Sequence, residues 1–563
     1  MALFSKFKND TRKIWNAINK LRNNYKMTDL NAIYYKNEIL SEPHDIAAAF
    51  NEYFTDIASK LDDNLPPSEI NPLNFLRGDF PHSMMVLPIC PRDASLVISK
   101  LKDKKASPRE IPTSLIKSNK DLLAVPLSML FNESIATGKF PQRLKHAIVT
   151  PIYKKGTKDD VGNYRPISML STTSKIFESL MKNSLVYYLE SKSILSPEQF
   201  GFRQGLSTFD ALNSFMQDVY NNLDKQNSLL SIYVDFTKAF DTVKHDILLL
   251  KLRHYGIRGT INDWFKDYLS NRFQSTKIHD HISDPRHVKY GVPQGSVLGP
   301  ILFLIYINDL PLIFNEFQTK LFADDSTLYL TGADPSSIIN EANNDLHIFY
   351  NWCLTNRLTV NLNKTFYMLF TNKAIGSLPP LLLNENLIKR VSHHKLLGVT
   401  IDDALTFKPH ISDLSLKLSR NICLLHQVRD FMPNQIFKIL YHAHILPHLQ
   451  YCMPIWCNTY PTHLIPLLRL QKKIIRIITN SNFFDHTQPL FKNTYILKLF
   501  DLNKLQLAIH MYKIIHTHNN IPNQVPHNYP TRTRELLRIP AHTLTIFQHS
   551  LAYALPKTNP CPQ

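Results

Sequence analysis

Cysteine is scarce in this chain, with six residues among 563: Cys90, Cys353, Cys423, Cys452, Cys457 and Cys561. None forms a Cys-x-x-Cys pair or a finger-like Cys/His spacing, which argues against a disulfide framework and the common zinc modules. Cys452 and Cys457 flank Met453-Pro454-Ile455-Trp456 and are expected to pack. A reduced, intracellular compartment fits this usage. Long apolar runs are also lacking. The longest, Val297 to Ile307, carries Gly299 and Pro300 and stops at Asn308, too short and too interrupted to span a bilayer. Met1 to Phe7 lacks the apolar core of a signal peptide. Acidic residues are in deficit: 46 Asp and Glu against 64 Lys and Arg give a formal charge of +18 and a pI near 9.4. That imbalance favours a polyanionic partner, most simply nucleic acid. The rest is an ordinary globular composition, 44% hydrophobic and 20% charged, long enough for two or more packed units.

Two acidic stretches stand out against this background. In Lys320-Leu321-Phe322-Ala323-Asp324-Asp325-Ser326-Thr327-Leu328-Tyr329, strand-favouring residues flank a small residue and two aspartates. The pattern predicts two strands with carboxylates at the connecting tip. Adjacent carboxylates repel, and a cation such as Mg²⁺ or Mn²⁺ relieves the repulsion; a plain polar turn is the alternative. Upstream, Leu229 to Val234 reads as a strand buried on both faces, with Asp235 at its exit. A strand ending in an acid beside a hairpin presenting acids suits a pair of metal ions engaged in phosphoryl transfer.

Val234 to Asp241, Gly291-Val292-Pro293-Gln294-Gly295-Ser296-Val297-Leu298-Gly299-Pro300 and Phe322-Ala323-Asp324-Asp325 resemble, in order and spacing, the three core polymerase motifs of reverse transcriptases. More narrowly they resemble those of non-LTR retrotransposons of the jockey and CR1 kind. The resemblance implies an α+β right-hand polymerase, with fingers and an antiparallel-sheet palm, followed by a helical thumb and C-terminal helical region. The corresponding divisions are a helical linker over 1–65, fingers and palm over 82–405, thumb and C-terminal region over 406–520, and a loose tail over 521–563. It also implies RNA-templated extension of a primer 3′-hydroxyl by dNTPs. The expected partners are an RNA template and a DNA primer or nicked target DNA, with no membrane. The expected location is intracellular, the nucleus during integration, with the cytoplasm as the alternative.

Residue by residue, the resemblance makes Asp235, Asp324 and Asp325 catalytic, with Asp235, Phe236 and Asp324 at two Mg²⁺ ions, Mn²⁺ being an alternative. Lys154, Lys155 and Arg165 become candidates for the nucleotide's phosphates, where a solvated hairpin is the plain alternative. Phe240 is expected beneath the sugar, Gln294 against the nascent pair, and Lys364 near the triphosphate as a proton donor. Gln199, Phe200, Arg203 and Gly295 are expected along the template and primer. Leu467, Leu470, Ile474, Ile475 and Ile478 form an apolar stripe, which turns Arg469, Lys472, Lys473 and Arg476 outward, toward phosphates or, as the plain alternative, simply into solvent. One departure is local: Arg109-Glu110 stand where the family usually has Asp-Gly before Ile111-Pro112, which puts that loop's geometry in doubt. No segment resembles the endonuclease that many members carry. A nucleic-acid-binding remnant is the rival reading, and a metal-dependent nuclease ranks behind it.

Helices are predicted over Thr11–Tyr25, Pro43–Leu61, Ala94–Leu101, Lys175–Glu190, Asp246–Tyr255, Ile261–Leu269, Ser336–Asn356, Ile411–Phe431, Asn434–His444, His463–Ile478 and Leu490–Ile515, with the Pro-rich stretch 62–81 as a linker.

Overall fold

The computed structural model describes residues 30, 32–78, 80–102, 111–427, 429, 434–517 and 542–557. The helix predicted over Thr11–Tyr25 and the Arg109-Glu110 loop lie outside the described residues. In chain order the elements that position the site and its surroundings are α1 (Pro43–Asp63), α2 (Pro91–Ser99), α3 (Lys120–Ala136), β1 (His146–Tyr153), β2 (Tyr164–Met169), α4 (Thr172–Ser191), α5 (Thr208–Asp224), β3 (Ser228–Val234), α6 (His245–His254), α7 (Thr260–Leu269), β4 (Arg272–Ile278), α8 (Gly299–Tyr306), β5 (Gln318–Phe322), β6 (Asp325–Gly332), α9 (Pro335–Thr355), β7 (Phe366–Phe370), β8 (His393–Leu396), β9 (Val399–Asp402), α10 (Lys408–Gln427), α11 (Asn434–His444), α12 (Pro461–Thr479), α13 (Leu499–Thr517) and α14 (Leu551–Lys557).

The central sheet is organised around β3. Every residue of β3 is buried, because alternate side chains serve different cores. Leu230, Ile232 and Val234 pack with Phe349 and Trp352 of α9, whereas Leu229 and Tyr233 pack with Leu212 and Phe215 of α5. The strand order is Lys389–Arg390, β7, β3, β6, β5, antiparallel except for the two-residue edge strand, which runs parallel to β7. A second sheet sets β1 antiparallel to β2 and parallel to β4. Helix α1 covers it: Ile46, Phe50 and Phe54 reach Val149, Tyr164 and Ile278, with the Phe50 and Tyr164 rings edge-on at 5.0 Å. The fold is thus a mixed α+β arrangement with sheets covered by helices.

A buried ion pair ties three elements together under the central sheet. Lys251 of α6 and Asp309, just past α8, are both fully buried. Lys251 Nζ donates to both Asp309 oxygens at 2.7 and 2.9 Å and to the Tyr306 carbonyl at 2.6 Å, and Trp352 Nε1 donates to Asp309 at 3.1 Å. Burial pulls the Lys251 ammonium down from its ordinary value, and Asp309 opposes that pull. Such a satisfied pair holds its geometry tightly, since losing one partner strands a buried charge at a cost of about 3–5 kcal/mol.

Three predictions need correction. The stretch 62–81 is strapped to the body: Asp62 pairs with Lys244 and Arg357, Arg357 also donates to the Pro66 carbonyl, and Arg258 donates to the Phe80 carbonyl. The helix predicted over Leu490–Ile515 is two, Thr487–Thr494 and α13, separated where Tyr495 takes a left-handed conformation at φ 57°. The segment assigned to a loose tail contains Thr545–His549 and α14, whose Phe547, Leu551 and Leu555 are buried in the core that α5 shares. Their apolar spacing was masked by surrounding Pro, Thr and His. Asn434–His444 forms over the predicted residues.

Candidate active site

Strand register brings the acids together. The β3–β6 ladder ends at the pair Ser326 and Val234, so one step further Asp325 stands opposite Asp235. On the other side of β3, Phe366 pairs with Tyr233, and the same stepping sets Lys364 opposite Asp235. Lys364 Nζ accordingly donates to Asp235 Oδ2 at 2.9 Å. Phe322 pairs with Asp325, leaving Ala323 and Asp324 as a two-residue hairpin loop. Of the two, only Ala323 has a positive φ, 57°, the pattern of a type II′ turn in which Gly is the usual first residue.

The turn is held from outside. The buried Gln199 side chain accepts through Oε1 from Ala323 N at 3.0 Å and Gly201 N at 2.8 Å. Phe200 N donates to Leu321 O at 2.8 Å and Leu321 N to Glu198 O at 2.9 Å, so residues 198–201 extend the sheet beyond β5. Arg203 locks this segment with a two-pronged pair to Glu190, at 2.9 and 2.7 Å, and a bond to the Ser196 carbonyl at 2.9 Å.

A cleft of about 540 Å³ opens over the acids, lined by Lys154, Lys155, Arg165, Asp235, Phe236, Lys238, Phe240, Gln294, Asp324 and Lys364 among others. Burial first, then the charge of Asp235, raises the Asp324 carboxyl from its ordinary value. Asp325 is pushed up to about 6 by desolvation, then by Asp324 and Asp235. Its side chain remains open to solvent, so screening tempers that repulsion. Lys154 is shifted the opposite way, downward, by burial and then by Arg165 and Lys364. Repelling acids therefore face repelling cations across one cleft, an arrangement that a cation and a polyphosphate would together relieve.

The cleft wall is set by the Gly291–Ser296 loop. A Cβ on Gly291 would lie 2.6 Å from the Asp241 carbonyl oxygen, and one on Gly295 2.7 Å from that of Ser168, so both positions need glycine to pack. Gln294 Nε2 donates to Asp241 at 2.8 Å; burial raises the Asp241 carboxyl to about 6, offset by Lys238 and that bond. The fully buried Glu178 accepts from Val297 N at 2.6 Å and Leu298 N at 3.3 Å, fixing the loop's exit into α8. Phe240 stacks on Phe303 at 4.3 Å, presenting its ring as cleft wall.

The predicted residues thus fall into three groups. Lys154, Arg165, Asp235, Phe236, Phe240, Gln294, Asp324 and Lys364 share the cleft. Gln199 and Arg203, expected along a template, make bonds inside the protein, Gln199 through Oε1 to the turn and Arg203 to Glu190, and Phe200 is half-buried beside them. Gly295 is exposed on the loop. Lys472, Lys473 and Arg476 sit on α12, away from the cleft lining, and Arg476 donates to the Asp485 carbonyl. Lys238 was missed: its positive φ of 52° turns it into the cleft, and only its position between Asp235 and Asp241 hinted at this. Among the described residues no three His, Cys, Asp or Glu side chains gather into a self-sufficient metal cage. The donor set fits Mg²⁺ nonetheless, since that ion characteristically takes one or two carboxylates plus substrate phosphates.

The acids and cations share one cleft on an α+β scaffold, and residues 152–401 match the family described as reverse transcriptase (RNA-dependent DNA polymerase). The chain is similar to the RNA-directed DNA polymerases of the X-element, BS and jockey mobile elements. It is 27% identical over 444 residues to the probable RNA-directed DNA polymerase from transposon X-element of Drosophila melanogaster, covering 76% of this chain and 48% of that protein. It is 28% identical over 427 residues to that of transposon BS, covering 71% and 46%, and 26% over 458 residues to that of mobile element jockey, covering 78% and 49%, both from the same organism. The chain spans about half the length of the curated relatives it matches.

Proposed function

We propose that this chain is the RNA-directed DNA polymerase of a non-LTR retrotransposon, extending a primer 3′-hydroxyl on an RNA template. In this reading the central sheet is the palm, the second sheet with its Lys154–Arg165 loop the fingers, and α10 to α13 the thumb and C-terminal helical region. The observation that carries it is the register that aligns Asp325, Asp235 and Lys364 across three strands beside the Ala323-Asp324 turn.

Asp235, Asp324 and the only atom Phe236 can offer, its backbone carbonyl oxygen, would hold two Mg²⁺ ions, with Asp325 completing the negative field; Mn²⁺ would serve similarly. The ions, when bound, activate the attacking oxygen and steady the leaving one. The primer oxygen forms a bond to the α-phosphorus as the bond to pyrophosphate breaks. Arg165, Lys154, Lys155 and Lys238 neutralise the triphosphate. The Arg165 guanidinium makes no bond to a described residue and is free to do so. Lys364 stands ready to give a proton to the leaving pyrophosphate. Phe240 closes the space a ribose 2′-hydroxyl would need, and Gln294, oriented by Asp241, lies beside the nascent pair. The DNA primer or nicked target and the RNA template are the partners, and the nucleus is the place of action during integration.

Primer extension on primed RNA with dNTPs and Mg²⁺ tests this directly. Extension that disappears in Asp324→Ala supports it; tight, salt-sensitive binding without extension in the native chain would replace it with the inactive remnant.

A further inference from the structure

Helix α12 ends at Thr479, where Asn480 takes a left-handed conformation at φ 54°, and the chain enters Ser481-Asn482-Phe483-Phe484-Asp485-His486. Phe483 is 71% exposed and Phe484 89%, with their rings 5.2 Å apart at right angles. Single exposed apolar side chains are ordinary; two adjacent phenylalanines on a built turn are not. The turn is well tied. Asn482 N donates to Asp485 Oδ2 at 2.7 Å and Asp485 N to the Asn482 carbonyl at 3.2 Å. Arg476 donates through Nε and Nη2 to the Asp485 carbonyl at 3.2 and 2.9 Å, and Ser481 N donates to the Arg476 carbonyl at 3.0 Å. The Arg476 guanidinium lies 5.8 Å from the Phe483 ring centre. The rings are therefore presented in advance, at little further ordering cost to a ligand.

Charge identifies the ligand's class. From Ile465 to Phe500 the chain carries six lysines and arginines and one acid, Asp485, whose carboxylate is spent on capping its own turn. Arg469 and Lys473 are exposed on α12. A purely apolar partner would gain nothing from such surroundings, whereas a polyanion with flat aromatic groups gains from both the rings and the cations. A paired duplex hides its base faces, which leaves an unpaired base. None of these residues lines the cleft over the acids.

We propose that the Phe483-Phe484 turn is a stacking platform for an unpaired base of single-stranded nucleic acid, with the cations of α12 holding the flanking phosphates. The platform is separate from the polymerase cleft and does not require catalysis.

The test uses the full chain and short single-stranded RNA and DNA oligonucleotides bearing a fluorescent purine. Binding should quench the purine, and the double variant Phe483→Ala/Phe484→Ala should weaken binding by about tenfold or more while abolishing the quench. Phe483→Leu/Phe484→Leu, apolar but without a ring face, should lose as much, and Phe484→Trp should retain affinity. Both side chains are exposed, so the unfolding midpoint should not move, and binding of a blunt duplex should be unaffected. Loss with RNA alone or with both strands upholds the proposal and tells which strand is held. Native affinity in the double alanine variant, or full rescue by leucine, overturns it. Asp324→Ala should bind as the native chain does, so loss of the polymerase reading and loss of this one remain distinguishable.

Discussion

Gly201→Ala should cripple turnover without touching an acid. An ideal Cβ at position 201 would stand 2.4 Å from Ala323 N and 3.0 Å from both the Phe322 carbonyl carbon and Gln199 Oε1. Two of those atoms are backbone in the strand and turn that carry Asp324, so no flexible end can yield. Restoring ordinary contact moves the turn by about 1 Å, and a misplacement of that size costs about a hundredfold in rate. Gly201 has no positive φ, so the effect comes from contact alone, and overpacking of this kind costs about 1–3 kcal/mol of stability. Gly205→Ala is the control. Gly205 has φ 82° and nothing within 4 Å, so alanine there strains the backbone by about 1 kcal/mol while leaving the acids where they are. Single-turnover dNTP addition beside urea unfolding separates the two. A folded Gly201→Ala protein that turns over at the native rate, or a Gly205→Ala protein equally impaired, would refute the argument that residues 198–201 position the turn.

The pH response, sugar choice and buried ion pair each carry a further expectation. Asp325, raised to about 6 when folded, is neutral in both states below about pH 4; as pH rises from about 4 to 6 the unfolded chain releases its proton first, so native stability falls through that window. Asp325→Asn should remove that fall, and Mg²⁺ should raise the melting temperature of the native chain above about pH 6 more than below it; equal Mg²⁺ effects at both ends of the window count against a cation site. Phe240→Ala opens the cleft wall that the proposed function sets beneath the sugar and should improve rNTP use relative to dNTP by about tenfold or more in kcat/KM, with an unchanged ratio contradicting the sugar-selecting role. Lys251→Met should destabilise by about 3–5 kcal/mol, whereas Lys251→Met with Asp309→Leu should recover most of it in denaturant unfolding.

The acids were legible because of the runs beside them: Leu229–Val234 leads into Asp235, and strand-favouring residues flank Asp324-Asp325. Which strands neighbour each other was not, since the pairing of Lys364 with Asp235 depends on a register set by residues more than a hundred positions apart. The internal bonds of Gln199 and Arg203 were hidden for a related reason. A polar side chain beside glycines looks the same in sequence whether it faces a template or caps a backbone, and the deciding partners, Ala323 N and Glu190, are remote. Lys238 turned on one backbone angle, and the break at Tyr495 on another, neither of which a non-glycine residue announces. The Asn434–His444 helix, by contrast, depends on its own periodicity and was read at its observed bounds.

The central claim is that the carboxylates gathered at the end of β3 and in the β5–β6 turn perform the chemistry. Single-turnover addition of one dNTP to a primed RNA, monitored as Mg²⁺ is titrated, tests it in the native chain, in Asp235→Asn and in Asp324→Asn. Each substitution should lower the saturating rate by about a hundredfold or more, the several kcal/mol a bound metal supplies, while primed-RNA affinity holds. Native rates in either variant at saturating Mg²⁺ would place the chemistry elsewhere and contradict the account.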